Sequence, residues 1–98
     1  MASSYLSLVN WTERGIGNVK ESPQRLERLK EAVQAAGGRV IFFYMLMGEY
    51  DFAMLIEVAD DATAARVLLE TARLGNVRTH TMRAFTEDEY RGIIGSLS

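Results

Sequence analysis

Cysteine is absent from the 98-residue sequence, and histidine occurs only once, as His80. Without thiols the chain forms no disulfide bond, holds no iron–sulfur cluster or thiolate metal site, and has no cysteine nucleophile. One histidine alone is also too few ligands for a metal site. The sequence therefore predicts neither a bound metal nor a cofactor.

Long apolar runs and a surplus of positive charge are missing as well. The first nine residues contain neither a basic segment nor a stretch long enough for a signal peptide or a membrane anchor. The formal net charge is -2, from 11 basic and 13 acidic side chains, whereas binding to nucleic-acid phosphates needs clustered lysine and arginine. We expect a cytoplasmic protein that binds neither membranes nor nucleic acid.

Motifs for catalysis or phosphate binding are equally scarce. No nucleophile has an adjacent base, no carboxylate pair is placed for acid–base chemistry, and residues 15–18 lack the third glycine of a dinucleotide-binding fingerprint. The composition is that of an ordinary globular protein, with 48% hydrophobic and 24% charged residues. Because the chain is about the size of one modest domain, we expect residues 1–98 to form a single domain.

The pattern of apolar residues predicts four strands and two main helices. Runs dense in β-branched and aromatic residues predict strands at residues 5–11, 40–47, 52–58 and 77–85. Helix starts are expected at Ser22-Pro23, at Asp60-Asp61 and at a capping box of Thr86 and Glu89. The second helix is expected to bury a stripe of Ala62, Ala65, Leu68, Leu69 and Ala72. This order of elements predicts an α+β, ferredoxin-like βαββαβ fold, with an antiparallel four-stranded sheet and both helices on one face.

Both faces of the predicted central hairpin are apolar. Along its first strand, one face would carry Phe42, Tyr44 and Leu46, and the other Ile41, Phe43, Met45 and Met47. Two helices can cover only one face of the sheet, so the other face needs a second apolar layer. We therefore predict a homodimer in which the open faces of two sheets pack together about a twofold axis.

Three segments of the sequence resemble the GYD-domain family. They are Leu8-Val9-Asn10-Trp11-Thr12-Glu13-Arg14-Gly15, Met47-Gly48-Glu49-Tyr50-Asp51 and Leu74-Gly75-Asn76-Val77-Arg78-Thr79. The family takes its name from the Gly, Tyr and Asp of the hairpin motif, here Gly48, Tyr50 and Asp51. The resemblance implies membership of the dimeric α/β-barrel class, which includes cofactor-independent monooxygenases, small-ring isomerases, haem-degrading enzymes and binding modules. A fold shared so widely does not choose among these activities.

The candidate site residues lie around this hairpin motif and on the first and last strands. His80 is the candidate general base or single haem ligand, and Tyr50 or Asn10 is the candidate donor to a developing oxyanion. The candidate ligand-binding residues are Asn10, Trp11, Tyr44 and Asp51. Turn chemistry alone also accounts for the motif, and Asn10 and Trp11 point to opposite faces unless the strand ends between them.

The sequence leaves three functions open. The first is a module that binds a small apolar or aromatic molecule in a cavity enclosed by the dimer. The second is a cofactor-independent monooxygenase or isomerase, in which His80 would move a proton. The third is a purely structural or interaction dimer that needs no ligand.

Overall fold

Segments rich in alternating apolar and aromatic residues form the strands of one antiparallel sheet. The computed structural model describes residues 2–98, with β1 Ser3–Trp11, β2 Arg39–Met45, β3 Phe52–Val58 and β4 Val77–Ala84. The strand order across the sheet is β2-β3-β1-β4. The predicted ferredoxin-like α+β fold, with its antiparallel four-stranded sheet, is confirmed.

The strand β2 differs in two ways from its prediction. It ends at Met45 rather than at residue 47, since Met45 is its last residue paired with β3. The backbone N–H of Leu46 then donates to the Asp51 carbonyl (2.8 Å) and closes the loop. A bulge also lies between Val40 and Phe42, so Ile41 has no partner on β3 and is 38% exposed. The bulge returns Val40 to the helix-covered face, where it packs on the core.

Four helices and one short 3₁₀ turn complete the part of the chain that the structure describes. They are α1 Glu13–Gly17, the 3₁₀ turn Val19–Glu21, α2 Ser22–Ala35, α3 Asp61–Ala72 and α4 Glu87–Gly95. Asp60 caps α3 as predicted, because its carboxylate accepts the N–H of Thr63 (2.9 Å). Ser22, expected as the cap of α2, is instead its first residue, because the 3₁₀ turn runs directly into the helix.

The core lies between the sheet and the two long helices. Its buried members are Tyr5, Met54, Ile56 and Val58 of the sheet, Val33 of α2, and Ala64 and Val67 of α3. The predicted stripe on α3 is therefore wrong: Ala62 and Ala65 are exposed, and Leu69 is 68% exposed. Alanine, valine and leucine residues cover more than half of the circumference of α3. Its sequence therefore allows more than one buried stripe, and the placement of the helix on the sheet selects one of them.

The opposite face of the sheet, which we call the open face, carries a continuous apolar band. Residues paired across the strands share a face, and the pairs Leu6 with Leu55, Leu6 with Met82, and Leu8 with Ala53 all lie on this side. The band consists of Leu6, Leu8, Phe42, Tyr44, Ala53, Leu55 and Met82. The two long helices pack on the other side and leave this band uncovered.

The helix α4 makes few contacts with the rest of the chain, among them the ion pair of Glu89 with Arg83 of β4 at 3.4 Å. Thr86 and Glu89 form the predicted capping box, with reciprocal bonds of 3.1 and 2.9 Å. Within residues 2–98, no other helix or strand packs broadly against α4. None of the helices in this described part of the chain combines the length and the apolar character needed to cross a membrane.

Candidate functional site

The Gly-Tyr-Asp motif lies in the loop between β2 and β3, which folds across the end of β1. Gly48 has φ 139, a backbone angle that favours glycine. Asp51 donates its N–H to the Val9 carbonyl (2.9 Å), and its Oδ2 accepts the N–H of Trp11 (2.9 Å). Asp51 thereby continues the hydrogen bonding of β1 beyond its last pair with β3.

Two further contacts fix this loop over the open face. The Asn10 side-chain amide donates to the Glu49 carbonyl (2.9 Å). The rings of Tyr50 and His80 meet edge to face, with centroids 5.6 Å apart and an interplanar angle of 68°. The structure therefore brings together Asn10, Tyr50, Asp51 and His80 from three separate segments.

A small open cavity of about 330 Å³ adjoins these residues. It is lined by Asn10, Trp11, Thr12, Arg78 and His80. Arg78 pairs with Asn10, and His80 with Leu8, so both side chains lie on the open face, as the alternation along β4 predicts. Within residues 2–98, no group of three or more His, Asp or Glu side chains is placed to hold a metal ion.

Trp11 and Tyr44 do not join this cluster through their rings. The Trp11 ring packs against Phe52 on the helix-covered face, with centroids 6.0 Å apart. Tyr44 is 63% exposed on the edge strand β2 and packs on Phe42 at 5.3 Å, with β3 and β1 between it and His80. Asn10 and Trp11 therefore serve opposite faces, as expected for neighbours on a strand.

A much larger cavity, which sequence analysis missed, lies on the helix-covered face. This cleft between α2, α3 and the sheet has a volume of about 840 Å³. Its floor includes Val9, Trp11, Phe43, Phe52 and Met54, and its walls include Leu26, Leu29 and Leu68. The sequence carried one sign of this cleft. One end of the sheet is rich in aromatic side chains, whereas α2 has only two leucines, Leu26 and Leu29, with which to cover them.

Comparisons with known proteins decide the family. The sequence profile described as GYD domain matches residues 5–94. The chain belongs to the GYD-domain family. A relative from Thermus thermophilus is 32% identical over 82 residues, which cover 83% of this chain and 86% of the relative. That relative is named glutamine synthetase and cystathionine beta-lyase binding protein.

Solved structures that resemble this GYD-domain chain confirm the fold. The Mycobacterium tuberculosis leucine response regulatory protein matches with a TM-score of 0.64 and 23% identity over 86% of this chain and 51% of its own. The feast or famine regulatory protein of that organism, solved with L-methionine, matches at 0.65 and 21% identity over 86% and 50%. A Thermus thermophilus protein matches at 0.54 and 23% over 86% and 94%. This chain spans about half the length of the two regulators.

Proposed function

We propose that this GYD-domain protein is a protein-binding module that assembles with itself and docks on a partner enzyme. The observation that carries the proposal is the apolar band on the open face, which a single chain leaves in contact with water. Tyr44 is 63% and Met82 45% exposed in this band. Contiguous exposed apolar surface is costly for an isolated chain and typical of protein interfaces.

A second copy of the chain is the occupant we assign to the open face. Leu6, Leu8 and Leu55 lie at the centre of the band, on the two inner strands β1 and β3. Two such faces packed about a twofold axis would bury both bands in one sheet-on-sheet layer. A domain of this size gains appreciable stability from such a layer, because its own core is small.

The helix α4 is the element we assign to the partner enzyme. Its apolar side chains are Tyr90 (58% exposed), Ile93 (46%), Ile94 (49%) and Leu97 (69%), the last just beyond the helix end. Their spacing of three, four and seven residues is that of a helix that places one apolar face in a groove of another protein. The Thermus relative, named for binding glutamine synthetase and cystathionine beta-lyase, supports metabolic enzymes as the partner class.

Light scattering on the purified chain tests the self-assembly. We expect a dimer for the wild type and a monomer for Leu55→Glu, because a buried unpaired charge is costly at a sheet-on-sheet interface. Leu69→Glu is the matched control, since Leu69 is exposed on α3 and away from the open face. A monomeric wild type, or equal effects of the two changes, would contradict this assignment.

The docking is tested by measuring how the chain binds to glutamine synthetase and cystathionine beta-lyase of the same organism, each immobilised on a sensor surface. Ile94→Glu should abolish binding to the partner that the wild type binds, while the dimer persists. Gly92→Glu adds the same charge to the opposite side of α4, where a side chain meets open space, and should bind normally. If neither enzyme binds the wild type, these partners are wrong; if Ile94→Glu yields monomers, α4 belongs to the self-assembly interface instead.

A further inference from the structure

The cleft between α2, α3 and the sheet has the dimensions of a small-molecule site. Its volume of about 840 Å³ falls within the usual range for ligand cavities, roughly 300 to 1,000 Å³. Apolar side chains from both helices and all four strands line it. The open face and α4, to which we assign protein partners, lie elsewhere in the molecule.

The floor of the cleft is a short row of aromatic rings. Phe52 lies in the middle, with the Trp11 ring centroid 6.0 Å away and the Phe43 ring centroid 4.9 Å away. Phe52 is buried, whereas Trp11 and Phe43 are only partly covered. Aromatic rings arranged in this way offer a large apolar contact area for a flat or aliphatic molecule.

Arginine side chains at the mouth of the cleft give it a positive bias, although the chain as a whole is acidic. Arg14, Arg25 and Arg28 line the cleft, and within residues 2–98 none of them forms a salt bridge. The acidic side chains of the lining are Glu21 and Glu70. Glu70 is already paired with Arg73 at 3.5 Å, so its charge is compensated outside the lining.

Hydrogen bonds tie together the backbone segments that carry these arginines. Arg25 donates to the carbonyls of Asn18 (3.0 Å) and Gly15 (3.3 Å), which ties the start of α2 to α1. The helix α1, which carries Arg14, is in turn fixed to the start of β4, because the Thr12 N–H donates to the Asn76 carbonyl (3.0 Å). Because this backbone is already held in place, an anion that binds at the mouth has to order only the arginine side chains.

From this combination we propose that the cleft binds a small apolar carboxylate, with its hydrocarbon body on the aromatic floor and its carboxylate facing Arg14 and Arg28. The apolar lining supplies most of the contact area, and the arginines select an anion over a neutral molecule of the same shape. The site lies within one chain and does not depend on the proposed binding of enzymes.

Methyl NMR on the full chain, labelled at leucine, tests this site with 2-naphthoate as the probe. Cleft leucines Leu26, Leu29 and Leu68 should shift saturably, together with the indole N–H of Trp11, the sole tryptophan. The open-face leucines Leu6, Leu8 and Leu55 should not shift. The neutral 2-naphthamide should bind about tenfold more weakly, because it lacks the charge-assisted bonds.

Two variants and one control separate the cleft from other surfaces. Arg14→Gln with Arg28→Gln should weaken naphthoate binding by about tenfold, while Arg66→Gln, an exposed arginine outside the lining, should not. Ala32→Trp, at an exposed position of the lining, should fill the cleft and remove the shifts.

Three outcomes of the ligand titration would overturn the proposal. They are shifts confined to the open-face leucines, equal binding of naphthoate and naphthamide, and no saturable shift with either naphthoate or decanoate up to about 1 mM, a concentration that detects even weak binding. If the chemical shifts of the cleft leucines change only with protein concentration, the cleft binds a second copy of the chain. That result would also overturn the proposal.

Discussion

Tyr50 and His80 pack edge to face at 5.6 Å, although the sheet places β1 between their segments. Tyr50 belongs to the loop before β3, and His80 lies on β4 opposite Leu8. The contact therefore closes the family motif over the end of β1. It gives the motif a structural role, whatever ligand lies beside it.

Removing the Tyr50 ring should loosen this closure. We expect Tyr50→Ala to lower the free energy of unfolding by about 0.5–1.5 kcal/mol, the usual contribution of an aromatic pair. Tyr90→Ala is the matched control, because Tyr90 lies on α4 and is 58% exposed. Urea titrations of both variants give the comparison, and an equal or larger loss from Tyr90→Ala would count against the role of the motif.

The carboxylate of Asp51 should stabilise the fold mainly through its hydrogen bond to the backbone. Because Oδ2 accepts the Trp11 N–H at 2.9 Å, Asp51→Ala should lower the free energy of unfolding by about 1.5–3 kcal/mol. Asp51→Asn keeps an acceptor oxygen and should lower the free energy of unfolding by less. Trp11 fluorescence reports unfolding in both variants, and the ligand-binding role predicted for Asp51 requires instead that Asn impair binding without loss of stability.

Gly15 should tolerate no side chain. A Cβ at this position would lie 1.9 Å from the Asn76 carbonyl oxygen, which is backbone and already accepts the Thr12 N–H. Gly15→Ala should therefore destabilise the chain by about 1–3 kcal/mol or more. Gly17→Ala, two positions along, meets nothing within 4 Å and should be neutral or stabilising by up to about 1 kcal/mol. Thermal unfolding of the pair tests this, and equal losses would contradict it.

The Asp60 cap of α3 should make the free energy of unfolding depend on pH in the acid range. Hydrogen bonds from the side chain and then the backbone N–H of Thr63 hold the pKa of Asp60 below its ordinary value. The folded state therefore favours the carboxylate, so its contribution is complete above the unfolded pKa of about 4 and disappears as pH falls through the lower folded pKa.

Asp60→Asn keeps a capping oxygen but removes the titration. We expect its free energy of unfolding to fall less steeply than that of the wild type below about pH 4. Urea titrations at several pH values measure both slopes. Parallel slopes would show that Asp60 does not contribute to the acid sensitivity.

Local patterns predicted the fold because each element carries its own signal. The capping box at Thr86 and Glu89 and the cap at Asp60 formed as expected. The stripe on α3 failed, because apolar residues around most of a helix do not specify which side faces the sheet. That choice is made by packing, and it buried Ala64 and Val67 while leaving Leu69 exposed.

The candidate site was predictable in part. Asn10, Tyr50, Asp51 and His80 came together around one motif, whereas the Trp11 and Tyr44 rings lie elsewhere. The volume of the cleft depends on the distance between α2 and α3 above Phe52. A short sequence segment does not determine the distance between two helices. Sheet registers follow from alternation, but cavities follow from the placement of whole elements.

Because α4 does not pack on the core, substitutions on this helix and substitutions in the sheet have different consequences. Substitutions at Ile93 or Ile94 alter a surface that the rest of the fold scarcely contacts. Such a helix can change in sequence without disturbing the sheet or its motif. If α4 binds the partner enzyme, as we propose, a change of partner requires substitutions only in the last dozen residues and leaves the fold as it is.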